Sequence, residues 1–95
     1  MTSRRSQEKQ LTNARVALTL DDQRYAAECN LFIESIGSPP KWHGRVWALT
    51  PAAGFKKGTM LTLTLHSGNS AEIVIQRPGV RGAYDFVGQG LPPTF

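Results

Sequence analysis

The stretch Lys41–Arg77, KWHGRVWALTPAAGFKKGTMLTLTLHSGNSAEIVIQR, decides the fold of this chain. Apolar and polar residues alternate in three of its segments, and glycine, proline, serine and asparagine separate those segments. Alternation with a period of two is typical of strands that have one buried face, and turn-forming residues between such strands indicate antiparallel connections. The stretch therefore predicts three consecutive antiparallel strands, over residues 41–49, 60–65 and 71–76.

Each of these strands has an apolar face that we assign to the core. In the first strand we place Trp42 and Val46 inward, because the opposite choice would bury His43 and Arg45 together. In the next two strands the inward positions hold leucine and isoleucine: Leu61, Leu63, Leu65, Ile73 and Ile75.

Further alternating segments flank this stretch on both sides. Residues 14–20 and 24–36 predict a hairpin around Asp21-Asp22-Gln23 with Leu20 opposite Tyr25, and residues 83–87 predict a short last strand. No window repeats apolar residues with helical spacing. The sequence thus predicts an all-β fold with little or no helix: a small antiparallel barrel or sandwich of about six strands, formed as a meander. Closure into a barrel is favoured because it removes exposed edges, while OB-like, SH3-like and split-barrel arrangements all stay open.

A chain of 95 residues predicts a single domain. Residues 1–13 are polar and predict a flexible N-terminal arm, residues 14–90 the barrel, and residues 91–95 a C-terminal tail. The single cysteine, Cys29, excludes an intramolecular disulfide and falls on a predicted core face, where burial raises the pKa of a thiol.

Composition also limits the location and the partners. No apolar run approaches the roughly 20 residues that span a bilayer, and no apolar segment follows the basic start MTSRRSQEKQ. We therefore expect a cytoplasmic protein without a membrane partner. The net charge of +4 favours encounters with anions, although no run of lysine and arginine concentrates that charge.

One predicted strand face carries most of the residues suited to binding. If Leu49 lies opposite Met60, the register places Trp47 against Thr62, Arg45 against Thr64 and His43 against His66 on the outer surface. Two lysines extend this surface beyond the connecting loop, beside Phe55, which either caps a barrel end or is presented to a partner. The candidate partner-binding residues are Lys41, His43, Arg45, Trp47, Lys56, Lys57 and His66.

These residues favour a small non-catalytic interaction module whose partner is a protein or a second copy of the chain, because tryptophan and arginine are enriched among interface hot spots. Binding of single-stranded nucleic acid or another anionic ligand is the first alternative, since aromatic rings beside basic groups stack bases and pair with phosphates. An enzyme is the least favoured class: the carboxylates are dispersed, and no catalytic residue is predicted. Two histidines are too few for a stable metal site, so neither a metal nor a cofactor is predicted.

Overall fold

The structure is a computed structural model that describes residues 9–34, 40–49, 54–79 and 82–94. Within these ranges the chain forms six strands: β1 (Lys9–Leu20), β2 (Gln23–Glu34), β3 (Lys41–Ala48), β4 (Met60–Leu65), β5 (Ser70–Pro78) and β6 (Ala83–Gln89). They form a closed barrel in the order β1-β2-β3-β6-β5-β4, with every neighbouring pair antiparallel. The predicted all-β class and antiparallel barrel are confirmed. The described residues contain no helix long and apolar enough to cross a membrane.

The barrel is not a simple meander. Strand β3 lies between β2 and β6, whereas β4 lies between β1 and β5. The predicted pairing of Leu49 with Met60 is therefore wrong, and so are the other cross-strand contacts derived from it. The reason is the long connection between β3 and β4: in its described part Phe55 packs into the end of the barrel, so the chain does not return beside β3.

The first hairpin has a tighter turn than the sequence predicts. Leu20 pairs with Gln23, and Leu18, not Leu20, lies opposite Tyr25. Asp21 adopts a left-handed backbone with φ 55°, a conformation that aspartate tolerates in tight turns. The register differs from the predicted one by two residues, which keeps every inward side chain facing inward.

Strand β1 also begins earlier than predicted, since residues 9–13 extend it into the segment that the sequence assigns to the arm. A bulge between Leu11 and Ala14 hides this extension, because it breaks the alternation of the sequence. At the bulge Asn13 has φ 52°, and its N–H donates to Asn30 Oδ1 at 2.8 Å. Residues 1–8 of the predicted arm, and 35–36 of the second predicted strand, lie outside the described residues.

The core lies inside the barrel and is closed by an aromatic side chain at each end. Trp42 fills one end, where its Nε1 donates to the carbonyl of Gly90 at 3.1 Å. Phe55 fills the other end between Tyr25 and Tyr84, with ring centroids 5.3 and 5.2 Å away. Buried aliphatic residues fill the space between them. They include Val16, Leu18 and Leu31 on β1 and β2, and the predicted inward residues Val46, Leu61, Leu63, Leu65, Ile73 and Ile75.

Candidate functional site

The outer face of β3 carries four of the seven predicted binding residues. Lys41, His43 and Arg45 are exposed and Trp47 is half-buried, while Trp42 between them is buried. The predicted inward and outward faces of this strand are confirmed. The neighbours on the surface are β2 and β6, so residues of those two strands complete the site.

His66 does not belong to this surface. It lies in the turn that follows β4, and the strand order separates β4 from β3 by two strands in either direction around the barrel. The predicted opposition of His43 and His66 is wrong. His43 instead lies opposite Phe32 and Val87.

Lys56 and Lys57 are exposed in the loop beside the buried Phe55. Of the two roles considered for Phe55, the structure shows the capping one. Its position holds the loop against the barrel end, and its backbone N–H donates to the hydroxyl of Tyr84 at 3.3 Å. The two lysines do not line the groove on β3 that is described below.

An apolar row crosses the outside of the barrel at the level of His43. Its imidazole stacks on the ring of Phe32, with centroids 5.5 Å apart and planes inclined by 28°. Val87 on β6 pairs with His43. The row continues to Val74 on β5, which pairs with Val87, and to Met60 on β4, which pairs with Val74. Directly opposed residues of neighbouring strands have their Cβ atoms about 4.5–5.5 Å apart, so these side chains adjoin one another. We call Phe32, His43, Val87, Val74 and Met60 the apolar row.

A polar row runs beside it, formed by Asn30, Arg45, Asp85 and Arg77. Asp85 accepts hydrogen bonds from Arg45 Nε at 2.8 Å and from Arg77 Nη2 at 3.3 Å. The bond from Arg45 lowers the pKa of Asp85, burial opposes this effect, and Arg77 lowers the pKa further. The same bond raises the pKa of the Arg45 guanidinium. One carboxylate thus lies between two cations, which leaves one net positive charge on the three residues.

Between the two rows lies a shallow groove of about 550 Å³. Its floor includes the backbone at Gly44, a buried position where a Cβ would overlap the carbonyl of Asn30 and crowd the ring of Phe86. The walls combine aromatic, aliphatic and charged groups: Asn30, Phe32, His43, Arg45, Trp47, Gln76, Asp85, Phe86 and Val87. The groove thus combines apolar contact area with guanidinium and carboxylate groups.

The described residues contain no group of three or more histidine, cysteine or acidic side chains that could hold a metal ion. Cys29 is fully buried, and burial raises its pKa to about 11. The thiol is therefore a core group and not an activated nucleophile, as its place on an apolar strand face predicts.

Sequence reasoning missed much of the apolar row. It had a signal for Phe32, which interrupts the alternation of β2, and for Val74 and Val87, which are apolar residues at outward positions. It had no signal for the contact of Asp85 with Arg45, since that contact depends on β6 pairing with β3.

Comparison with known proteins returns no match to the chain among protein-family models, curated proteins or solved structures. We therefore infer a function from the geometry of this surface.

Proposed function

We propose that this chain is a non-catalytic binding module that docks a protein partner on the outer surface of β2, β3, β6 and β5. The observation that carries the proposal is the apolar row beside the polar row. Protein interfaces combine an apolar centre with a polar rim, and outward valines and a stacked Phe32–His43 pair provide such a centre here. A second copy of the chain is the simplest partner.

Within this surface, Trp47 and Arg45 are the proposed anchors. Trp47 lines the groove and is only half-buried, so part of its ring remains free to contact a partner. Arg45 is held in place by Asp85, which reduces the side-chain entropy that docking would otherwise remove. Tryptophan and arginine are over-represented among the residues that dominate binding energy.

Charge favours protein over nucleic acid as the partner. Phosphate binding needs several free cations along one track. Here Asp85 neutralises part of the charge of Arg45 and Arg77, and Lys56 and Lys57 lie outside the groove. The surface is consequently more apolar and less basic than the sequence suggests.

Site-specific photo-crosslinking tests the proposal. A benzophenone amino acid replaces Gln76, which lines the groove, and in a matched protein it replaces Gln23, an exposed glutamine outside the groove. Each protein is irradiated alone and in an extract of its source cells. We expect a discrete adduct from position 76 only, with doubled mass if the partner is a second copy. Val87→Glu should abolish the adduct, and Thr64→Glu on β4 should leave it unchanged.

Two results would reject a protein-docking surface. One is an identical adduct pattern from positions 76 and 23, and the other is an adduct that Val87→Glu does not alter.

A fluorescent single-stranded 15-mer tests the nucleic-acid alternative. Its affinity should fall with salt with a log–log slope of about −0.7 per neutralised phosphate, and Trp47→Ala and Lys56→Ala should weaken it, if that alternative holds.

A further inference from the structure

Strand β1 extends well beyond the part that pairs with β4, the strand that closes the barrel. Val16–Thr19 pair with β4, whereas pairing with β2 runs along β1 from Lys9 to Leu20. Residues 9–15 therefore have β2 on one side, and among the residues that the structure describes no strand pairs with their other side. As far as the described residues go, the barrel wall has an open edge here.

Such an edge presents hydrogen-bonding groups of the backbone. In antiparallel pairs, alternate residues direct their N–H and C=O groups to opposite sides of the strand. About every second residue between Gln10 and Arg15 thus directs both groups away from β2. Gln10, Thr12, Asn13 and Arg15 are exposed, so an incoming strand can reach the edge.

An apolar groove adjoins the edge where β4 ends. It has a volume of about 440 Å³ and is lined by Leu11, Ala14, Arg15, Leu65, His66 and Ser67. Leu11 and Ala14 are both half-buried on the core side, because the bulge between them restores the inward face of β1. A strand added at this edge would place an alternate side chain over Leu65. Strand addition of this kind combines backbone hydrogen bonds with pockets for alternate side chains.

The charges at the edge indicate which kind of strand can pair with it. The sequence places a lysine, Lys9, and an arginine, Arg15, at the two ends of the segment, and Arg15 Nε lies 3.6 Å from Oε2 of Glu28. A second copy pairing antiparallel about Thr12 would place Lys9 against Arg15, and directly opposed like charges destabilise a sheet. An acidic strand avoids this repulsion and gains attraction at both ends.

We propose that the edge Gln10–Arg15 binds an extended segment of a partner protein in which apolar and acidic residues alternate. The segment pairs antiparallel with β1, continues the barrel wall where β4 ends, and places an apolar side chain in the Leu11/Leu65 groove. This site is separate from the β3 surface.

The probe is the peptide Ac-EVEVEVE-NH₂, titrated into the ¹⁵N-labelled protein. We expect chemical-shift changes confined to residues 10–15 and 65–67. N-methylation of the valines keeps the side chains but removes amide donors, and it should weaken binding about tenfold or more. The peptide Ac-KVKVKVK-NH₂ should bind less tightly, because its charges repel Lys9 and Arg15.

Thr12→Pro tests the edge within the protein. Thr12 has no cross-strand partner on β2, so the change should leave the hairpin intact while it blocks the approaching strand. Arg15→Glu is the second variant, and it should reverse the preference between the two peptides. Val87→Glu on the other surface should change neither result.

Amide exchange of the free protein provides the independent check. Outward amides of residues 10–15 should exchange faster than those of Val16–Thr19. Equal protection would show that the edge is already covered, and would overturn the proposal. Equal binding of the methylated and unmethylated peptides, or no binding of the acidic peptide at millimolar concentration, would overturn it as well.

Discussion

Trp42 can close one end of the barrel because Gly88 has no side chain. A Cβ at Gly88 would overlap Cδ2 and Cε2 of the indole ring. Trp42 cannot retreat easily, since its ring packs against Phe86 with centroids 6.2 Å apart and its Nε1 is bonded to Gly90. The side chain and the glycine therefore form one packing unit.

We predict that Gly88→Ala lowers the free energy of unfolding by about 1–3 kcal/mol, the usual penalty of overpacking a core. Urea denaturation followed by tryptophan fluorescence measures the change. Gly54→Ala is the control: nothing lies within 4 Å of its Cβ position, so its effect should stay below about 1 kcal/mol. Similar losses in both variants would contradict the packing argument.

Because Cys29 is buried, we predict that its thiol reacts slowly with alkylating reagents. Its pKa of about 11 leaves little thiolate at pH 8, so ionisation alone should slow alkylation about a hundredfold relative to a thiol at the ordinary pKa of 9.0. Mass spectrometry after timed iodoacetamide treatment of native and urea-unfolded protein checks this. In a Cys29→Ala background, Ser67→Cys in the exposed turn should react at the unfolded rate. Rapid labelling of native Cys29 would show that the thiol is accessible.

At the scale of elements, Asp85 joins three strands of the polar row. Arg45 on β3 and Arg77 on β5 both donate to this carboxylate on β6. The pKa of Asp85 is lowered in the folded state, so its ion pairs stabilise the fold above the unfolded pKa near 3.9. That contribution is lost as the pH falls through the lowered, folded-state pKa.

We predict that Asp85→Asn lowers the urea midpoint at pH 7 and that the difference from the unaltered protein disappears at low pH. The effect should be small, because both arginines are largely exposed and solvent screens the pairs. Urea titrations at pH 7, 4 and 2 measure it, with Asp22→Asn in the exposed turn as the control. A difference that stays constant over this pH range would assign the effect to packing instead of charge.

The sequence predicts the strands well because alternation is a local property. Val46, Leu63 and Ile75 face inward as predicted, since each inward residue is set by its neighbours two positions away. The predicted register of the first hairpin is in error by an even number of residues, which leaves these faces unchanged. Alternation fails to predict the start of β1, because the bulge at Asn13 interrupts the pattern there.

At the scale of the whole molecule, the order of the strands is what the sequence leaves undetermined. Strands β3 and β4 both alternate and follow one another, and they would fit a hairpin as well as their actual places. The barrel instead joins two three-stranded meanders, through β3 with β6 and β1 with β4. This choice depends on how Phe55 and Trp42 fill the two ends, which is a property of three-dimensional packing. The composition of the candidate site could not be predicted for the same reason. It depends on the pairing of β3 with β6, which brings Val87 beside His43 and Asp85 beside Arg45.

The closed barrel also keeps its stabilising core apart from its outer surface, and two phenylalanines test this separation. Phe55 is 6% exposed and closes a barrel end, so Phe55→Ala should lower the free energy of unfolding by about 3–5 kcal/mol. Phe32 is half-buried on the outside, where it stacks on His43, so Phe32→Ala should lower the free energy of unfolding by about 1 kcal/mol. Urea denaturation measures both, and the Gln76 crosslink reports binding. We expect Phe32→Ala to weaken the crosslink in a folded protein. A loss of stability as large as that of Phe55→Ala would instead make Phe32 part of the structural core and remove it from the proposed interface.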